Sequence, residues 1–228
     1  MKIIAHRGFS EAYPENTLLS FKKALETGVD AIEADIRLSR DEQAVIFHDA
    51  SLVRITDIDK TPESLTLQEL QKLDAGRGEI IPSLDELLTL IDGKATLILE
   101  IKYNPATYKR LCAVMEASIY DKLTWIEVSC FEDIVLEEMH RLNKDIKLHK
   151  LIQEETVLQD QTFQSRYDYV NYFDININLM KTALDKGLIK QHKVILWTVN
   201  KEDISTASQE GLYGIMTNNP KRTKEQYA

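Results

Sequence analysis

Short apolar runs recur along the chain, each ending in polar residues and most followed by a connection long enough for a helix. KIIA stops at His6, Arg7 and Gly8, as a buried parallel strand running into a polar loop does. Downstream, Leu18, Phe21, Ala24 and Leu25 share one helical face, which predicts a helix from about Thr17 to Thr27, capped by Asn16 and closed by Gly28. The strand pattern continues in DAIEADI, TLILEI, LTWIEVS, IKLHKLI, DYVNYF, KVILWTV and YGIMT. Helices are predicted over PSLDELLTLI, Ala106 to Ser118, FEDIVLEEMHRL, a region near Glu154 to Ser165, Leu179 to Leu188, KEDISTASQE and a terminal scrap after Pro220.

Alternation of this kind predicts an α/β protein with a parallel sheet, and eight strand units allow closure into a TIM (β/α)8 barrel with its site at the C-terminal strand ends. One connection breaks the pattern. Only the polar run Ser39 to Gln43 separates AIEADIRL from AVIF, too short for a parallel crossover, so these two stretches should form an antiparallel hairpin arm. A turn centred on Asp41 and Glu42 would set Asp35 opposite His48 and return His48 to the barrel mouth. The polar connection from Ala50 to Ile81, with one amphipathic piece SLTLQELQKL, reads as a small insertion over that mouth. No low-complexity linker or second compositional regime interrupts residues 1–228, which read as a single domain.

A formal net charge of -9 argues against a nonspecific nucleic-acid or anionic-membrane surface, so any affinity for phosphate has to be built locally. Cys112 and Cys130 lie in apolar contexts without metal-like spacing, which suits a reducing compartment. The N-terminal KIIAH run is too short for a secretory leader and no long uncharged apolar span follows, so a soluble cytoplasmic protein without a membrane anchor is expected. The oligomeric state has no mark in the sequence.

The chemistry gathers at strand ends. Glu33 and Asp35 are two apart and project together from an extended strand, and two converging carboxylates without cations beside them suggest a metal. Glu100 arrives at the end of the neighbouring strand, and three oxygen ligands suit one Mg²⁺ or Ca²⁺ rather than zinc. His6 and His48 each end an apolar strand and are candidates for general base and acid, whereas His140, His149 and His192 read as satisfied histidines. Arg7 and Lys102 offer positive charge to a phosphate, or neutralise the acidic set, or do both. Trp197, near the mouth, either packs against the carbon part of a substrate or belongs to the core.

HRG at His6 to Gly8, PENT at Pro14 to Thr17, ExD at Glu33 to Asp35, HD at His48 and Asp49, EIK at Glu100 to Lys102 and WTVN at Trp197 to Asn200 stand in that order. With IPSLDELL before EIK and MTNNP near the end, the set resembles the glycerophosphodiester phosphodiesterases nearly end to end. The resemblance implies a metal-dependent TIM-barrel hydrolase that splits a small-molecule glycerophosphodiester into glycerol 3-phosphate and an alcohol. By motif it makes His6 and His48 the acid/base pair and Glu33, Asp35 and Glu100 the metal ligands, with Arg7 and Lys102 on the phosphate. The segment after His48 resembles the insertion that distinguishes this family. Either water or the neighbouring glycerol hydroxyl could be the first nucleophile. A lysophospholipase D-like activity and a noncatalytic phosphate-binding barrel are the competing readings; the polar LVRITDIDKTPES disfavours the first, and retention of every acid, base and ligand position disfavours the second.

Four departures from the family pattern are visible: Asp41-Glu42 at the hairpin turn where Asp-Gly is usual, Tyr213-Gly214 and Thr217-Asn218 for DG and TD, and Cys130 after Ser129. None falls on a proposed acid, base or ligand.

Overall fold

Nine strands carry the architecture: β1 (Lys2–Ala5), β2 (Ala31–Leu38), β3 (Ala44–Ile46), β4 (Thr96–Ile101), β5 (Ile126–Cys130), β6 (Lys147–Ile152), β7 (Tyr172–Asn176), β8 (Val194–Trp197) and β9 (Gly214–Thr217). The computed structural model describes all residues except 204–206, 208–210 and 228, so most of the helix expected over KEDISTASQE lies outside the described residues. Parallel pairing runs from β1 through β2, β4, β5, β6, β7, β8 and β9 and back to β1, closing a TIM barrel of eight strands. The extra strand, β3, pairs antiparallel with the far end of β2, where Ile36 to Leu38 run on past the short β1.

The barrel interior is filled at one end by Ile4, Ala31, Ile98, Tyr172, Ile195 and Met216, which pack on one another. The outer faces of β2, β4, β5 and β6 bury a second, larger apolar set against the surrounding helices, among them Leu18–Glu26, Leu84–Ile91, Tyr108–Ile119 and Asp133–Leu142. Strands apolar on both sides are what a helix-covered parallel sheet requires, and they explain why their sequences read as near-continuous apolar runs.

Three sequence expectations are corrected. Thr17, not Asn16, caps the first helix: its hydroxyl accepts from the Ser20 amide, and the Ser20 hydroxyl accepts from the Thr17 amide in return. The seventh strand is Tyr172–Asn176 and not DYVNYF, because Asp174 is buried beside a histidine partner that hydropathy cannot reveal. The hairpin register differs by one residue: Ile36 faces Ile46, so Asp35 stands opposite Phe47, whose amide donates to the Asp35 carbonyl at 3.0 Å. The cause is a loop of odd length, Arg40 to Glu42, whose last residue takes the left-handed conformation (φ 59°) used by three-residue hairpin loops.

The segment between β3 and β4 forms short turns of helix at Val53–Thr56, Pro62–Ser64 and Leu67–Leu70 before the capped helix Leu84–Ile91. It has a small core of its own, in which Leu52, Leu65, Leu70 and Ile81 pack on Val45 and Phe47 of the hairpin. This segment is therefore seated on the hairpin arm.

Candidate active site

The site begins where β1 runs out. The His6 amide still donates to Thr217 of β9, but Arg7 and Gly8 then take left-handed conformations (φ 54° and 79°) and turn the chain sharply. Glycine is required at the second position: a Cβ there would lie 2.7 Å from the Ser20 carbonyl carbon and 2.9 Å from the Phe21 nitrogen. The turn points the Arg7 amide at Glu33 Oε2, 2.9 Å away, and its carbonyl accepts from the Asn16 amide and the Ser20 hydroxyl. Asn16, itself left-handed (φ 57°), is freed from capping. Its side chain donates to Asp35 Oδ2 at 2.7 Å and accepts from the Asp35 amide at 3.2 Å, which fixes that carboxylate's orientation.

Glu33, Asp35 and Glu100 are all buried and each places an oxygen within 4.8 Å of the other two. Parallel pairing of β2 with β4 sets Asp35 directly beside Glu100. The carboxylates do have cations beside them: Arg7 Nε lies 3.2 Å and Lys102 Nζ 2.9 Å from Asp35, and Lys102 also bonds Glu100. Burial pushes the Glu33 carboxyl well above the usual carboxylate range, helped by Asp35 and Glu100. Glu100 is pushed up to about 7, again by burial, with Lys102 holding it back. Burial acts the same way on Asp35, but Lys102 and Arg7 outweigh it and hold that carboxyl below its ordinary value. Three carboxylates thus face two cations, and Glu33 Oε1 is buried with no hydrogen-bond partner. An all-oxygen set with an unsatisfied buried oxygen fits a hard divalent cation.

Both strand-end histidines open on the same cavity, but they are held differently. His6 Nδ1 lies 2.7 Å from Asn218 Oδ1, a neutral acceptor, so the proton sits on Nδ1 and Nε2 keeps its lone pair. Burial and the nearby Arg7 push His6 down to about 4. His48 Nδ1 instead meets a carboxylate, Asp49 Oδ1, at 2.6 Å, while the His48 carbonyl accepts from Arg37 Nε at 3.0 Å. Burial lowers His48 as well, against the pull of Asp35.

His6, Arg7, Glu33, His48, Glu100 and Lys102 line a cavity of about 220 Å³, together with the apolar Phe131, Leu151, Trp197 and Met216. Trp197 donates from Nε1 to the Asp174 carbonyl and meets Phe131 edge-on at 5.5 Å. Every residue expected from the sequence to act at the site therefore lies at this mouth, with Asp35 beneath the lining. Sequence reasoning gave no site role to Asn16, Asp49, Phe131 or Asn218. The PENT motif held a signal for Asn16, since Thr17 can cap the helix by itself; Asn218 is brought to His6 by the closure of β9 onto β1.

His149 is a satisfied histidine, as expected, but a charged one. Fully buried, it places Nε2 2.9 Å from Glu127 and Nδ1 3.1 Å from Asp174, and stacks on Tyr172 at 4.2 Å. Burial disfavours its charge, yet the two carboxylates outweigh that and raise it to about 9. His140 packs against Tyr169, and His192 bonds Gln164 near the surface.

Comparison with known proteins bears on this geometry. Residues 6–222 match the model of the glycerophosphoryl diester phosphodiesterase family. A glycerophosphodiester phosphodiesterase of Caldanaerobacter subterraneus is 32% identical over 235 residues, covering 96% of this chain and 94% of the relative. A phosphodiesterase from Oleispira antarctica, solved in complex with the product sn-glycerol-3-phosphate, superposes with a TM-score of 0.88 at 26% identity, over 100% of this chain and 96% of that one. The glycerophosphodiester phosphodiesterase of Thermotoga maritima superposes with a TM-score of 0.84 at 26% identity, covering 99% of this chain and 98% of that one.

Proposed function

Since the chain belongs to the glycerophosphoryl diester phosphodiesterase family, and so to the phosphoric diester hydrolases, we propose that it splits a glycerophosphodiester into glycerol 3-phosphate and an alcohol by His/His acid–base catalysis with one divalent ion. The observation that carries this is the meeting of two histidines, three carboxylates and two cations at one cavity. The relative solved with sn-glycerol-3-phosphate supports the same substrate class.

Glu33, Asp35 and Glu100 would hold Mg²⁺ or Ca²⁺, and the ion, when bound, would offset charge on the phosphoryl oxygens. Arg7 and Lys102 add fixed positive charge to the cavity, beside the buried acids they pair with. His6, neutral and with Nε2 unprotonated, is suited to take a proton from the attacking hydroxyl. His48, lowered by burial but drawn toward the imidazolium by Asp35 and by the Asp49 carboxylate at its Nδ1, is suited to give one to the departing alkoxide. Phe131, Leu151 and Trp197 line the same cavity and are suited to pack on the carbon part of the substrate.

In this reading the chain is one barrel domain with an insertion near residues 50–81, acting in the cytoplasm. The buried, unpaired Cys112 and Cys130 support that compartment, and among the described residues no helix is long and apolar enough to cross a membrane. The test is release of glycerol 3-phosphate from glycerophosphocholine and glycerophosphoethanolamine by metal-stripped protein, before and after Mg²⁺ or Ca²⁺ is added. Metal-restored release is expected; equal rates with and without chelator would remove the ion from the reaction.

A further inference from the structure

Arg54 belongs to the insertion, 48% of its side chain is exposed, and nothing in the chemistry above uses it. Its guanidinium nevertheless grips two carboxylates at once. Nε and Nη2 bond Asp49 Oδ2 and Oδ1 at 2.5 and 3.1 Å, while Nη2 and Nη1 bond Glu15 Oε1 and Oε2 at 2.6 and 3.2 Å. Each of those carboxylates has a second partner at the site. Asp49 holds the ring of His48 at 2.6 Å, and Glu15 holds Arg7 Nη1 at 3.0 Å. Arg7 in turn lies against Asp35. Behind the His48 ring, charges of alternating sign therefore run from Asp49 through Arg54, Glu15 and Arg7 to Asp35.

We propose that Arg54 is a positioning residue through which the insertion holds His48 and Arg7 in register across the mouth; this rests on the reading that those two residues act in the reaction. A planar fork that satisfies two carboxylates bidentately fixes direction as well as distance, which a flexible ammonium does not. The fork is itself anchored. Leu52, two residues earlier, is fully buried in the core shared by the insertion and the hairpin, its amide donates to the Lys60 carbonyl, and Asp57 closes the single helical turn in the left-handed conformation. Without Arg54, Asp49 would be free to leave the His48 ring, and Glu15 would compete with Asp35 for Arg7 alone. The Arg37 bond to the His48 carbonyl fixes only the backbone, so the ring depends on Asp49.

The experiment compares Arg54→Gln, Arg54→Lys, Asp49→Asn, the Asp49→Asn/Arg54→Gln double variant and His48→Ala with the unaltered full chain. Turnover of glycerophosphocholine with Mg²⁺ is measured together with thermal melting and the Nδ1–H signal of His48 in histidine-labelled protein. Loss of an outer-shell orienting group typically costs roughly 10–100-fold, so Arg54→Gln is expected to lower kcat by that factor at near-unchanged melting and to broaden the ring signal. Arg54→Lys should recover only part of the loss. The double variant should be no more than about twofold slower than Asp49→Asn, because both act along one path. Full activity of Arg54→Gln, a sharp unshifted ring signal in it, or losses that multiply in the double variant would each overturn the proposal. His48→Ala separates the two failures: if it stays active the acid–base reading falls, whereas an inactive His48→Ala beside an unimpaired Arg54→Gln sinks the clamp alone.

Discussion

Glu100 couples the site to stability in a way that can be measured without substrate. Its carboxyl, 7% exposed, has its pKa raised from 4.5 to about 7 by burial. Between pH 4.5 and 7 the unfolded chain gives up this proton while the folded chain keeps it. The folded state then binds more protons, and stability falls as pH rises. The gap corresponds to about 3 kcal/mol, fully lost above pH 7. Glu33, raised for the same reason, acts in the same direction, while Asp35, held low by Lys102 and Arg7, has already ionised and contributes no slope in this window. The assay is urea unfolding followed by the fluorescence of Trp125 and Trp197, with chelator present, at pH 5 and pH 7.5, on the unaltered protein and Glu100→Gln. Groups out of reach of Glu100 cancel in the comparison, and Glu33, which Glu100 helps to raise, shifts the difference in the same direction. The unaltered protein should lose about 2 kcal/mol more than Glu100→Gln over that interval, since part of the gap is already lost by pH 5, and Lys102 keeps Asp35 as partner in the variant. Saturating the unaltered protein with Mg²⁺ or Ca²⁺ at pH 7.5 should return stability, by about 2.7 kcal/mol at a hundredfold excess over Kd. Identical pH slopes in the two proteins would refute the reasoning.

Replacing His6 or His48 by Ala should lower turnover by about 10² to 10⁴ with melting unchanged, and normal turnover in either would overturn the acid–base assignment. His149, raised to about 9, gives stability that is whole below pH 6.5 and is lost as pH rises through 9. His149→Asn, which leaves the buried Asp174 without a cation and Glu127 with Lys147 alone, should cost about 3–5 kcal/mol at pH 6 and less above pH 9; a constant deficit in urea titrations at both values would contradict a charged His149. Gly8→Ala forces a Cβ into the Ser20 backbone from a left-handed position and should lower stability by at least about 2 kcal/mol along with activity, so a near-normal melting curve would show that the HRG turn can relax.

Much of the site was legible because its residues stand at strand ends, and strand ends are where apolar runs give way to polar residues. His6, Glu33, Asp35, His48 and Glu100 could all be found by that rule, and the structure brings them together at one mouth. The rule failed at β7, where the expected run DYVNYF begins too early and stops at Phe173, while the strand runs on through the buried Asp174 to Asn176. It failed again in the hairpin, where the short connection predicted the pairing but not the extra loop residue that moved Phe47, in place of His48, opposite Asp35.

Hydrophobic periodicity is a local property, and it determined the strand and helix series, the number of barrel strands and the hairpin arm. Burial and charge pairing are properties of residues far apart in sequence, and only the closed barrel decided them. Asn218 reaches His6 across 212 positions, and Arg54 reaches Glu15 across 39. The charge state of His149 likewise depends on two carboxylates from neighbouring strands, because inside the barrel desolvation disfavours any charge that is not met by a partner. The residues that can ionise are written in the sequence, whereas their protonation states are set by the partners that folding places beside them.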